Sequence, residues 1–143
     1  AVAANEALTK AAYKYGGTFA LLTYWSLIGE EVARHRKSEF GGISHACEME
    51  TSLQLYLAPA NVRPDKLPPA NNLRGGRFWS PAMFAANKIT MYVPYDQLSK
   101  QGHIGDPRSA TPEFGKTIYD AVVGKAAELV AQIQKGELLD EDH

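Results

Sequence analysis

The sequence predicts an α/β protein, on three successive features of its first 26 residues. Residues 2–15 place Val2, Leu8, Ala11, Ala12 and Tyr15 at helical spacing, with Lys10 and Lys14 on the opposite side. Gly16-Gly17 follows, and glycine supplies the left-handed conformation that commonly ends a helix. Thr18 to Ser26 is then a continuous run of apolar, β-branched and aromatic residues, the pattern of a strand buried on both faces of a parallel sheet. A helix, a glycine stop and a fully buried strand make one α-to-β unit of an α/β sandwich.

The remaining elements follow in order. Leu27 to Lys37 reads as a short helix or turn with Glu30, Glu31, Arg34, His35 and Arg36 facing water. Phe40-Gly41-Gly42-Ile43-Ser44 is a glycine-rich loop delivering the chain into a helix from about Ala46 to Ala58. On that helix Met49, Leu53, Tyr56 and Leu57 share a stripe, and Pro59 stops it. Residues 61–80 form a long loop: from Asn61 to Arg77 the chain is rich in Pro, Asn, Gly and charge and has no period, as in a lid, a site wall or an interface. Lys88 to Val93 fits a short edge strand or an extended segment, and Gly102 to Pro107 a turn organised by Asp106. The last helix spans 111–135: Thr111 is its N-cap, Pro112 its first residue, and Glu113 an acid in the first turn. Phe114, Ile118, Ala121, Val122, Ala126, Leu129, Val130 and Ile133 make it the clearest amphipathic helix of the chain.

Composition bounds the function. At 143 residues the chain is the size of one domain and can bury a real core. A formal net charge of −1 offers no basic excess for nucleic acid or an anionic membrane surface. No apolar run approaches the roughly 20 residues of a membrane span. The one cysteine permits no internal disulfide and is compatible with a reducing, cytoplasmic setting. Ala1 to Glu6 has no initiator Met and no signal-peptide pattern, so it reads as an internal start left by processing or a chain boundary. Glu137 to Asp142 reads as a solvated acidic tail.

The chemistry-bearing residues cluster where the glycine loop meets the second long helix. His45, Glu48 and Glu50 offer an imidazole and two carboxylates within six positions. A divalent metal wants such groups on a rigid element, and a hydrolase wants an acid or base beside the water that the metal activates. The set is too small to close a metal site by itself. The same acids are also what the dipole of a first helical turn favours, and a His beside a glycine loop often only caps. Cys47, two residues from His45, raises a Cys–His nucleophile, although a lone Cys also serves as a small buried hydrophobe. Tyr24 and Trp25 end the expected strand and could wall a pocket beyond its carboxyl end, or simply fill the core.

Three segments in order resemble the creatininase family (creatinine amidohydrolase and relatives). Leu22-Thr23-Tyr24-Trp25 resembles its strand ending in Tyr-Trp. Gly42 to Leu53, containing His45-Ala46-Cys47-Glu48-Met49-Glu50-Thr51-Ser52, is similar to its His-Ala-Gly-Glu-x-Glu-Thr-Ser-Leu signature. Gly105-Asp106-Pro107, then Ala110-Thr111, Glu113 and Gly115, resembles the approach to its last helix.

The resemblance implies a three-layer α/β/α sandwich with a mainly parallel sheet, and hydrolysis of a C–N amide bond at a divalent centre of one or two Zn, Mn or Fe ions. By position it implies a proton-shuttling catalytic role for His45, a role for Glu50 as a metal ligand or as a carboxylate that supports one, and substrate-binding roles for Trp25 and Glu48. The aromatic and acidic positions expected just before the His are Gly41, Gly42 and Ser44, which turns the expectation away from creatinine towards another small or cyclic amide. The family's main ligand motifs, a Glu-x-His, a following Asp and an Asn-Gly-His, belong to an N-terminal half that this sequence does not contain. Residues 1–143 are therefore expected to be the C-terminal part of the domain. A second chain carrying the N-terminal half would complete the fold and the active site, in a hetero-oligomer of higher order. A non-catalytic binding or scaffold subunit of the same fold is the alternative.

Overall fold

The computed structural model describes residues 2–137, and the tail from residue 138 lies outside them. Among the described residues five α-helices run in chain order: α1 (Val2–Tyr15), α2 (Gly29–His35), α3 (Glu48–Leu57), α4 (Tyr95–Leu98) and α5 (Pro112–Lys135). Short 3₁₀ turns at Tyr24–Leu27, Pro59–Asn61, Pro64–Lys66 and Pro107–Ser109 punctuate the connections.

The α/β expectation is overturned here. Among the described residues there is no strand and no sheet, only the isolated antiparallel bridges His45–Ile104 and Asn71–Gly105. The apolar run after Gly17 is not helical up to Thr23, but no backbone hydrogen bond within the described residues engages residues 17–22. Phe19, Leu21 and Leu22 are exposed rather than buried on two faces. A strand exists only through a neighbour that pairs with its N–H and C=O groups, and apolar, β-branched composition cannot supply one. Tyr24 and Trp25 lie in a 3₁₀ turn. Lys88 to Val93 is irregular rather than an edge strand.

What the chain does build is a helical core. Ile28 and Val32 of the α2 region, Ile43, Cys47 and Met49 around the start of α3, and Phe114 and Ile118 of α5 are buried together. Tyr24, Trp25, Leu27 and Leu53 pack against them. The two long inner helices approach closely at Gly115, where a Cβ would lie 1.9 Å from the Ser52 carbonyl oxygen, so only glycine fits. Ser52, fully buried, accepts the Thr111 N–H on its hydroxyl at 3.0 Å and ties the start of α5 to α3. Thr111 caps α5 by accepting the Phe114 N–H at 3.2 Å, with Pro112 at the first helical position. Lys125 joins α5 to α2 by donating to the Leu27 carbonyl at 2.9 Å and pairing with Glu31 at 3.1 Å. None of residues 3–15 of α1 belongs to this core, and Tyr13 and Tyr15 stand out at 90% and 70% exposure.

Candidate functional site

The loop 42–47 is held by segments far away in sequence. His45 exchanges both backbone hydrogen bonds with Ile104, each 2.8 Å. The Asp106 N–H donates to the Gly42 carbonyl at 3.0 Å, and Met83 N–H to the Ile43 carbonyl at 3.0 Å. Ser44 donates its hydroxyl to the Pro81 carbonyl at 2.6 Å. Gly105, at φ +124°, passes so close that a Cβ would sit 2.5 Å from the Gly42 oxygen and 2.7 Å from the Cys47 Cβ. The Gly-Asp-Pro turn is thus a brace, and Asp106 fixes its shape by accepting the Arg108 N–H and the Ser109 hydroxyl.

Within this frame Ala46 has φ +49°, the one positive value outside glycine among the described residues. A non-glycine residue in that region costs on the order of 1 kcal/mol and persists where surroundings over-determine it. The left-handed step separates His45, exposed, from Cys47, which is buried at the N-cap of α3.

His45 and Glu50 line one cavity of about 400 Å³. One wall is the start of α3, with Ala46, Thr51 and Gln54; the other is residues 61–67, with Asn61, Val62, Arg63, Lys66 and Leu67. The Glu50 carboxylate reaches back towards the Cys47 N–H at 3.4 Å, the long half of a capping box, and is otherwise free to face the cavity. The His45 ring meets Tyr95 edge to face, with centroids 5.5 Å apart. Tyr95 and Tyr24 both have phenol pKa values raised by burial first and by the Glu50 charge second. Both phenols thus lie close enough to Glu50 to feel its charge.

The other expected residues are placed elsewhere. Glu48 is fully buried, and its two oxygens accept the Lys37 N–H at 2.7 Å and the Ser38 N–H at 2.9 Å, which pins the chain after α2 to the start of α3. Trp25 packs on the core, edge to face with Tyr24 at 5.1 Å, and does not line the cavity. With no strand beneath it, the argument from a strand's carboxyl end no longer applies to Trp25. The Cys47 thiol is pushed up above its ordinary range, by burial first, so it stays protonated at neutral pH and is a poor nucleophile.

Sequence reasoning did not single out Asn61, Arg63, Lys66 or Tyr95. The first three lie in the segment expected to act as a lid or wall, while Tyr95 carries no local signal at all. Among the described residues no three His, Cys, Asp or Glu side chains gather to hold a metal. His45 and Glu50 would supply at most part of a donor set, and that is the extent to which these residues fit a metal.

Comparison with known proteins agrees with the motifs. The sequence model of the creatininase family, creatinine amidohydrolase, matches residues 1–130. A crystal structure from Bacteroides fragilis, described provisionally as a creatinine amidohydrolase, superposes with a TM-score of 0.65 at 19% identity, over 95% of this chain and 50% of that one. The chain thus spans about half the length of that structure. No curated protein matches. With nine-tenths of its length matched by the family and all three of its motifs inside that match, the chain belongs to the creatininase family.

Proposed function

We propose that the chain is part of a metal-dependent amidohydrolase that cleaves the C–N bond of a small or cyclic amide other than creatinine. The single observation that supports this most is that His45, from a braced loop, and Glu50, from the first turn of α3, line the same cavity. The metal, one or two Zn, Mn or Fe ions, would supply an activated water and a polarised carbonyl. Glu50 would hold it with the carboxylate that faces the cavity. His45, exposed and fixed through its backbone to Ile104, is placed to give or take a proton at the scissile nitrogen.

The remaining ligands would come from a second polypeptide carrying the N-terminal half, in a hetero-oligomer. Two features support that reading: the match over half of the Bacteroides fragilis chain, and the bare apolar residues Tyr13, Tyr15, Phe19, Leu21 and Leu22. A cytoplasmic setting, consistent with the free thiol, goes with the same reading.

A second reading, a non-catalytic scaffold, is favoured by the capping use of Glu50 and the purely structural bonds of Glu48. His45→Ala separates the two. Catalysis predicts a loss of amide hydrolysis of about 10²-fold or more with folding unchanged by circular dichroism, and removal of metal by a chelator should abolish the same activity. An unchanged rate in His45→Ala would establish the scaffold instead. Cys47→Ala should leave turnover intact.

A further inference from the structure

We propose that the cavity shared by His45 and Glu50 takes substrates bearing an anionic oxyacid group, a carboxylate or a phosphate ester, held by Arg63 and Lys66 of its second wall. The identity of the reacting amide rests on the amidohydrolase reading above, while the anion site does not. Arg63 is the N-cap of the 3₁₀ turn Pro64–Lys66, closed by the Lys66 N–H donating to the Arg63 carbonyl at 2.9 Å. Three residues per turn bring positions i and i+3 to the same side, so both cationic side chains face one cavity.

Two like charges on one face repel, and among the described residues the Glu50 carboxylate on the other wall of the cavity forms no ion pair with either. Arg63 has no ion pair there, and Lys66 has only the adjacent Asp65 at 3.5 Å, an exposed contact that does not line the cavity. An anion between the two would be bound by charge-assisted hydrogen bonds, which are the strong kind. The turn is also built in advance. Pro64 opens it, Pro68-Pro69 stiffen its exit, and Arg108 donates from Nε to the Leu67 carbonyl at 3.0 Å. Little order is then lost on binding. A substrate held there by its acid group would present its amide to His45 and Glu50, which is the positioning that hydrolysis needs.

The test is calorimetric titration of the purified protein with N-acetylglycine, neutral N-acetylglycinamide and the phosphate ester of N-acetylethanolamine, for wild type, Arg63→Gln, Lys66→Gln and the double variant. Both side chains are exposed, so the variants should fold. The expected result is binding of at least one anionic amide about tenfold tighter than the neutral one, with that ratio collapsing in the double variant and shrinking with added salt. Whichever anion binds tighter identifies its source. Equal affinity for charged and neutral compounds, or a ratio that survives the double variant, overturns the proposal. Hydrolysis is read separately, with the second polypeptide and a divalent metal present: anionic amides that bind in this way yet are not turned over even there leave the anion site standing and overturn the amidohydrolase reading.

Discussion

Cys47 and Glu48 are neighbours with opposite tasks, and both tasks follow from burial. The thiol is enclosed by apolar groups, which raises its pKa, so the folded state favours the neutral form. A raised folded value means that this stabilisation is complete below the ordinary thiol value of 9.0 and is lost as pH rises past it. Tyr24, raised from 10.0, acts in the same direction at slightly higher pH. Denaturant midpoints should therefore fall as pH rises past 9.0 and further past 10.0, and Cys47→Ala should flatten the first part of that fall. Ellman's reagent should label Cys47 only as fast as the protein opens, and rapid labelling of the folded protein would contradict the burial. That Cys47 would be a small hydrophobe was legible from its solitude in the sequence. The task of Glu48 was not, because its partners are the backbone N–H groups of Lys37 and Ser38, which carry no residue signature.

Elements were legible where they are self-contained. The helix 111–135 carries its own cap, its own proline start and its own apolar stripe, and α5 runs over Pro112–Lys135. The helix expected from about Ala46 to Ala58 is Glu48–Leu57, with the proline stop in place. The expected strand failed for the complementary reason, since pairing depends on another segment and leaves no local trace beyond composition. One close approach decides how the long helices pack. Gly115→Ala would drive a methyl group into the Ser52 carbonyl, and α3 or α5 must shift to accept it. The expected loss is about 1–3 kcal/mol of stability, read as a lower midpoint in urea, with helix content by circular dichroism largely kept. Gly124→Ala, where a Cβ meets nothing within 4 Å, is the matched control and should be neutral or slightly stabilising.

At the scale of the whole molecule, the buried core is confined to α2, α3, α5 and the loops between them. None of residues 3–22 belongs to it, while Tyr13, Tyr15, Phe19, Leu21 and Leu22 offer apolar surface to the outside. Exposed apolar residues gathered on neighbouring segments mark a surface that associates. If the proposed second polypeptide covers this surface, native mass spectrometry of active material should find it with this chain. A single 15.6 kDa species with full activity would exclude the shared site. Replacing Phe19 and Leu21 with Ser should release the second polypeptide and remove activity while leaving the α3–α5 core folded.

Backbone hydrogen bonds join His45 to Ile104 and Gly42 to Asp106, both far later in the chain, and Gly105 between those partners is paired in turn with Asn71. Contacts of such separation close large loops, and here they hold an exposed residue, His45, rather than the interior of a long helix. The loop is therefore expected to open ahead of the inner turns of α5. In hydrogen exchange the amides of His45, Asn71, Ile104 and Gly105 should exchange together as one cooperative unit, ahead of the inner turns of α5. Substrate arriving at the cavity would meet a loop whose shape is kept by distant residues, and a ligand that bridges its two walls would slow that shared exchange.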